Sequence, residues 1–407
     1  MSNTVESAKT IYLDYAATTP TDPEVVKVML PYFGSEFSNA SSMHSSGRRA
    51  GQAIAKARSC VADILNCESE EIIFTGSGTE SDNLALFGIA RAYKAEGNHV
   101  IVSSIEHKAI IESVQHLKGE GFEVSVAPVT KDGLVDIPAL IALVTEKTIL
   151  ISVMYANNEI GTLQPIREIV SKLQFWKSSK GNRLMPFLHT DACQAAGVLS
   201  LDVEKLGVDL MTINSSKIYG PKGVGALFKK KAIKLKPIIV GGEQEKNQRA
   251  GTENIALIVG FAEALKKADS LKVAEGKRLT QLRDYFIKGL LTKIPNAILN
   301  GHPKHRLPNN VHISIPNIEG ESILLMLDKA GVEASTGSAC SAYDLRPSHV
   351  LMAIGQTPEF AHGSIRFSLG KATTKKDIDY VLSIFPGIVN RLSSISALTT
   401  KRNEKKH

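Results

Sequence analysis

The chain has 407 residues, 43% of them hydrophobic, enough to bury a large core and to build more than one domain. Its 48 basic and 41 acidic side chains leave a formal charge of +7, part of it in the tail Lys401-Arg402-Asn403-Glu404-Lys405-Lys406; no aromatics interleave with the basic residues, so a nucleic-acid surface is not supported and the tail reads as a solvated terminus. Cys60, Cys67, Cys193 and Cys340 show no CxxC spacing and read as reduced thiols rather than metal ligands, and with no apolar leader and no run of the roughly 20 apolar residues that span a bilayer, the expected compartment is the cytoplasm.

The chain starts extended over Ile11 to Tyr15 and runs through small residues to Pro20. Ser46 to Asn66 carries Ala50, Ala53, Ile54, Ala57, Val61, Ile64 and Leu65 on one face and reads as a helix. A β-α alternation follows. Glu71 to Thr75 is a strand and Glu80 to Lys94 a helix. His99 to Ser103 is a strand, Lys108 to Lys118 a helix and Phe122 to Pro128 a strand. Ile137 to Val144 is helical, Thr148 to Met154 a strand and Ile166 to Trp176 a helix. Residues 177–186 read as a surface loop, followed by strands over Phe187 to Thr190, Asp209 to Ile213 and Val224 to Phe228. This order predicts an α/β protein with a mostly parallel central sheet covered by helices.

Two helices, Ile255 to Lys267 and Glu275 to Leu291, lead into a Pro-rich turn region. Val311 to Ile315, Glu319 to Ala330, Pro347 to Ile354, Ser364 to Leu369 and Lys375 to Ile384 then read as strand, helix, helix, strand, helix. The expected organisation is an N-terminal segment 1–24 packing with a small domain, a large domain 25–264, and a smaller α/β domain 265–407.

In parallel α/β sheets ligands sit beyond the carboxyl ends of the strands, and Thr79, His107, Asn158, Asp191 and Lys217 all lie at such ends. Each has a plain alternative. Gly76-Ser77-Gly78-Thr79 is either a capped turn or a phosphate seat at a helix start. His107 is either a surface cap or a ring that stacks and exchanges protons. Asn157-Asn158 is a turn or a donor to a ligand oxygen. Asp191, ending an apolar strand, is costly to bury unless paired. A protonated pyridine nitrogen of pyridoxal phosphate is one such partner, with Gln194 in the same turn facing the ring hydroxyl. Lys217 follows a strand and precedes the rigid Gly220-Pro221 turn, as a Schiff-base lysine requires. Cys340 lies in Gly337-Ser338-Ala339-Cys340-Ser341-Ala342, among side chains too small to pack around an inert thiol.

With these residues in view, the chain resembles the cysteine desulfurases of the iron–sulfur assembly and nitrogen-fixation group, class-V aminotransferase-like enzymes of pyridoxal-phosphate fold type I. The likeness runs from Tyr12-Leu13-Asp14-Tyr15-Ala16-Ala17-Thr18-Thr19-Pro20 to Arg366-Phe367-Ser368-Leu369-Gly370. It includes Gly78-Thr79-Glu80-Ser81-Asp82-Asn83, Glu106-His107-Lys108-Ala109, Asn157-Asn158-Glu159-Ile160-Gly161, Lys217 with Gly220-Pro221-Lys222-Gly223, Arg249-Ala250-Gly251-Thr252-Glu253-Asn254 and Gly337-Ser338-Ala339-Cys340.

The resemblance implies that Lys217 carries pyridoxal 5'-phosphate, that His107 stacks on its ring and that Asp191 holds the pyridine nitrogen. Asn158 and Gln194 hold the ring hydroxyl. Gly78 and Thr79 bind the phosphate, with Thr252 reaching in from the other subunit of a homodimer. Arg366, helped by Asn158, clamps the carboxylate of L-cysteine, and Cys340 takes its sulfur as a persulfide, leaving alanine. The implied acceptor is an iron–sulfur scaffold or a tRNA-thiolation protein. One departure concerns the phosphate cup: where the family commonly has a serine and then a histidine before the lysine, this chain has Asn214 and Ser216, both still able to donate to phosphate. The alternatives are a selenocysteine or cystine lyase of the same superfamily, which would not need Cys340, and a non-enzymatic scaffold, which would not need Lys217.

Overall fold

Short, wholly apolar strands are the elements that a sheet covered on both faces demands. The computed structural model describes residues 10–337 and 346–404, with side chains to residue 395. After a two-residue strand β1 (Ile11–Tyr12), seven strands form one sheet: β2 (Ile72–Thr75), β3 (His99–Ser103), β4 (Glu123–Ala127), β5 (Thr148–Ser152), β6 (Phe187–Asp191), β7 (Leu210–Asn214) and β8 (Gly225–Lys229). Their order is β2-β8-β7-β6-β5-β3-β4. β7, β6, β5, β3 and β4 run parallel, and β8 is antiparallel to both its neighbours. Every residue of β2, β3, β5, β6 and β8 is buried, whereas the edge strand β4 leaves Glu123 and Val126 exposed.

The period-two alternation of strands splits the core. Ile72 and Phe74 of β2 join one apolar cluster with the helices Ser45–Leu65 and Ile255–Lys293, while Ile73 joins the other with Leu84, Ile89, Val114 and Leu117. A separate core lies in the C-terminal part. There β9 (Ile298–Leu299), β10 (Asn310–Ser314) and β12 (Ser364–Ser368) form an antiparallel sheet in the order β12-β10-β9, and β11 (Val332–Glu333) pairs with β1. Phe286 packs edge-on against Phe367 at 5.0 Å, and Leu13 of the N-terminal segment is buried in the same cluster.

Three expectations need correction. The two helices expected after residue 254 are one, Ile255–Lys293, which passes through the expected domain boundary at 264–265. Ala268-Asp269-Ser270-Leu271-Lys272-Val273-Ala274 holds neither Gly nor Pro, so nothing there breaks a helix even though its apolar face lapses. The helix before β6 extends to Ser179 and takes the first residues of the expected 177–186 loop. The last helix runs from Lys375 to Glu404, with Pro386 inside it. The helix Pro23–Met29, capped by Asp22 through the Glu24 N–H and started by Pro23, is an addition to the expected elements.

One buried ion pair ties the segment carrying Thr252 to the sheet. Arg58 donates to both carboxylate oxygens of Glu245 at 2.6 and 2.7 Å, and Glu245 Oε2 also accepts from the Phe74 N–H at 3.0 Å. The Glu245 side chain is only 3% exposed. Removing one partner of such a pair strands a buried charge at a cost of about 3–5 kcal/mol. Arg58→Met is therefore expected to lower the denaturation midpoint clearly, and Arg58→Met with Glu245→Gln to recover part of the loss. Equal midpoints for wild type and Arg58→Met in denaturant titrations would refute this.

Candidate active site

The carboxyl ends of β2, β3, β5, β6 and β7 open onto a cavity of about 330 Å³. Asn214, the last residue of β7, caps the 3₁₀ turn Ser215–Lys217 by accepting from the Ser216 N–H at 3.0 Å. Lys217 lines the cavity, and its Nζ donates to the Ala17 carbonyl. The turn after it is held tightly. Tyr219 sits at φ +63°, its N–H donates to Thr19 Oγ1 at 2.8 Å, and a Cβ on Gly220 would fall 2.1 Å from Ser215 Oγ. The N-terminal segment 16–19 is thereby laced to the lysine turn, with the Thr19 N–H donating to the Ser216 carbonyl at 2.9 Å.

Asp191 ends β6 and is 6% exposed; its Oδ1 accepts from the Cys193 N–H at 2.9 Å. Burial governs the groups behind it. Burial drives His189 down to about 4, and its ring nitrogens meet the hydroxyls of Ser152 at 2.9 Å and Thr212 at 3.0 Å. Burial, with the Asp191 charge next, holds Asp82 well above the carboxylate range. His189 and Asp82 are 3.7 Å apart, and with the imidazole neutral this is no ion pair. Glu106, whose Oε1 accepts from Ser103 Oγ and from the Met154 N–H at 2.9 Å, is pushed by burial to about 8.

The helix Gly78–Ala92 points its N-terminus at the same cavity. Ser77 Oγ accepts from the Glu80 N–H at 3.1 Å, so the cap serves that group, while Gly78 and Thr79 line the cavity. A Cβ on Gly78 would lie 2.7 Å from Cys193 Sγ, so only glycine lets the backbone seat this closely. A helix N-terminus is an anion seat. An anion seat, a buried carboxylate with no ion pair among the described residues and a lysine on one wall together fit pyridoxal phosphate, whose phosphate, pyridinium and aldehyde carbon need those three groups.

His107 lines the cavity and caps the helix Lys108–Gly119, its Nδ1 accepting from the Ala109 N–H at 3.1 Å. Gln194 Nε2 donates to the Ala16 carbonyl at 3.0 Å. Asn158 lines the wall and makes no side-chain hydrogen bond among the described residues. Arg366 comes from β12 of the C-terminal antiparallel sheet. Its arms donate to Asp14 Oδ1 and to the Asn158 carbonyl, each at 2.9 Å, and its buried Nε has no partner among the described residues.

Two expected cofactor residues lie off this wall. Ser216 does not line the cavity and turns its hydroxyl to Asn214 Oδ1 at 3.3 Å. Thr252 lines a second cavity, of about 200 Å³, beside Arg249 and Gly251. Cys340 lies outside the described residues, although Gly337, three positions before it, is on the wall. The cavity is also lined by Asp82, Glu106, Glu159, Cys193 and His349, none of which the sequence alone singles out as a site residue. Glu106 and Glu159 adjoin His107 and Asn158 at strand ends, and that adjacency is the signal that could have found them. His349, whose Nε2 donates to the Glu106 carbonyl at 2.9 Å, has no local signature.

A largely parallel sheet with an anion-binding helix start, a buried strand-end carboxylate and a lysine on the next turn defines a pyridoxal-phosphate-dependent enzyme. The chain belongs to the class-V aminotransferase family, whose model matches residues 11–381. It is 48% identical over 386 residues to the cysteine desulfurase IscS of Dictyoglomus turgidum, covering 95% of this chain and 96% of that protein. It is also 48% identical over 387 residues to cysteine desulfurase IscS 1 of Archaeoglobus fulgidus, covering 95% and 99%. Among solved structures, a NifS-like protein superposes with a TM-score of 0.87 at 34% identity, covering 94% of this chain and all of that one. A structure titled SspA in complex with cysteine superposes at 0.76 with 31% identity, covering 88% and 99%. The cofactor is pyridoxal 5'-phosphate. Among the described residues no helix is long and apolar enough to cross a membrane.

Glu106 makes the fold pH-dependent. Raised from 4.5 to about 8, its carboxyl keeps in the native state a proton that the unfolded chain has released. Stability therefore falls as pH rises through that window, by about 1.4 kcal/mol per unit of separation. Glu106→Gln is expected to flatten that fall in denaturant titrations of the cofactor-free protein. An unchanged slope would show that Glu106 is ionised in the native state.

Proposed function

We propose that this chain is a cysteine desulfurase that takes sulfur from L-cysteine onto Cys340 and releases L-alanine. Relatives named cysteine desulfurase, matched over almost the whole chain, support the reaction class, and a related structure holding cysteine supports the substrate. The observation that carries the role of Cys340 is the position of Gly337: the chain enters the segment bearing Cys340 from the cavity wall that also holds Lys217 and Arg366.

The proposed division of labour follows the geometry. Gly78, Thr79 and Asn214 bind the phosphate, Asp191 holds a proton on the pyridine nitrogen, and Lys217 holds the cofactor carbon. Asn158 and Gln194 face the ring hydroxyl. Arg366 binds the substrate carboxylate in exchange for part of its contact with Asp14. Lys217 Nζ and His107 move protons at the substrate's α-carbon and β-carbon. The cofactor, when bound, supplies a sink for the electron pair at that α-carbon. The Cys340 thiolate attacks the substrate sulfur, so an S–S bond forms as the C–S bond breaks. The electron pair of the broken bond stays with carbon, which takes up a proton. One thiol and one cysteine thus give one persulfide and one alanine with no external oxidant.

Thr252 serves the phosphate of a second copy in this reading, since within one chain it faces a different cavity. Ser216, turned to Asn214, supports the cup through that amide. The large and small lobes correspond to residues 25–264 and 265–407, with 1–24 packed on the latter, and the protein works as a cytoplasmic homodimer. The persulfide passes to an iron–sulfur scaffold or a tRNA-thiolation protein.

Pure protein given L-cysteine is expected to yield alanine, with persulfide mapped to Cys340. Borohydride treatment is expected to fix the cofactor mass on Lys217. Cys340→Ser should keep the cofactor absorbance and lose nearly all alanine formation. Full sulfur release by Cys340→Ser would contradict the reading and favour a selenocysteine or cystine lyase.

A further inference from the structure

His349 lines the cavity, yet the reaction as described gives it no work. Its place is set by the short helix it begins, His349–Ala353. Ser348 caps that helix, accepting from the Leu351 N–H at 3.3 Å, and its own hydroxyl donates to Glu159 Oε2 at 2.5 Å. Val350 and Leu351 are buried with Ile105, Met154 and Ile160, residues that follow β3 and β5. The imidazole itself stays half-buried on the cavity wall.

Hydrogen bonding fixes which ring nitrogen carries the proton. His349 Nε2 meets the Glu106 carbonyl at 2.9 Å, and a carbonyl oxygen only accepts. Nε2 is therefore the N–H, and in the neutral ring Nδ1 is a lone pair. That lone pair accepts no hydrogen bond among the described residues. His107, the other imidazole on the wall, is arranged in reverse, its Nδ1 lone pair spent on the Ala109 N–H. Burial lowers His349 below the ordinary imidazole value, against the pull of the Glu106 carbonyl and with the charges of Lys108 and His107 adding to it. The ring is thus neutral at neutral pH and a weak base.

We propose that His349 is a specificity-determining substrate residue: its Nδ1 accepts the S–H of bound L-cysteine and so selects a thiol. The inference rests on the desulfurase reading. L-cysteine has three polar ends. Arg366 takes the carboxylate and the Lys217 side takes the amine, which leaves the thiol, a weak donor in want of a neutral acceptor. A weakly basic imidazole holds the thiol proton without removing it. A substrate sulfur that keeps its proton stays neutral and open to an attacking thiolate, whereas an ionised one would repel it. The proton then ends on the outer sulfur of the persulfide. The same lone pair discriminates against selenocysteine, whose more acidic selenol is ionised at neutral pH and has no proton to donate.

The test uses holoenzyme of wild type, His349→Phe, His349→Leu and His349→Gln, with cofactor absorbance and denaturation midpoint recorded for each. His349→Leu, smaller than the ring, stands if His349→Phe does not fold. The probes are β-mercaptopropionate, which carries thiol and carboxylate but no amine and so does not react, and propionate, which lacks the thiol. Calorimetry is expected to show β-mercaptopropionate weakened about threefold to tenfold in the Phe and Leu variants, the worth of one hydrogen bond, with propionate little changed. His349→Gln, whose amide can donate to the Glu106 carbonyl and still offer an oxygen, should fall between. In turnover, KM for L-cysteine should rise by a similar factor, while KM for L-selenocysteine and the inhibition constant of L-alanine should not. Unchanged β-mercaptopropionate affinity, propionate weakened in proportion, or an equal rise in KM for L-selenocysteine overturns the assignment. Wild type that forms no alanine from L-cysteine overturns the functional reading instead, while the ratio of the two acid affinities still decides the role of His349.

Discussion

A carboxylate buried without an ion pair is among the most expensive things a fold can hold, and Asp191 forms none among the described residues. The sheet delivers it to the end of β6, 6% exposed, with the Cys193 N–H as a hydrogen-bond donor. Its neighbours do not relieve it. Burial keeps His189 neutral, and burial, with the Asp191 charge behind it, pushes both Asp82 and Glu106 above the usual carboxylate range. A cationic ring nitrogen is the partner such a site is short of, and the fold is arranged around supplying room for it.

The other parts follow from that requirement. The helix Gly78–Ala92 brings the positive end of its dipole to the same cavity, and glycine at 78 allows the seat to close on Cys193. The lysine turn is stiffened by Tyr219, Gly220 and the N-terminal strap through Thr19. The C-terminal antiparallel sheet contributes Arg366, whose pairing with Asp14 also fastens the strap. Charge complementarity in this cavity is therefore shared among segments far apart in sequence.

Much of this arrangement is legible in the amino-acid sequence. Mainly apolar runs followed by Thr79, His107, Asn158, Asp191 and Lys217 mark the strand ends, because a buried parallel strand is built mostly of apolar residues and a polar successor then stands at the mouth. The helix Ile255–Lys293 reads as two because its apolar face lapses where it passes from one apolar cluster to another, and periodicity registers burial rather than hydrogen bonding. Glu106, Glu159 and His349 escape a sequence reading for a different reason. Their meaning lies in contacts with β5, β10 and the segment after residue 345, which no local pattern encodes. Position before the lysine puts Ser216 in the phosphate cup, but the cap it forms with Asn214 turns its hydroxyl aside.

The central claim is that Asp191 keeps a proton on the ring nitrogen of the cofactor. The most direct measurement is the nitrogen-15 chemical shift of holoenzyme loaded with pyridoxal phosphate labelled at that nitrogen, compared with Asp191→Asn. The account predicts a protonated nitrogen in the wild type through neutral pH and loss of that proton in the variant. An unprotonated ring nitrogen in the wild type would contradict it.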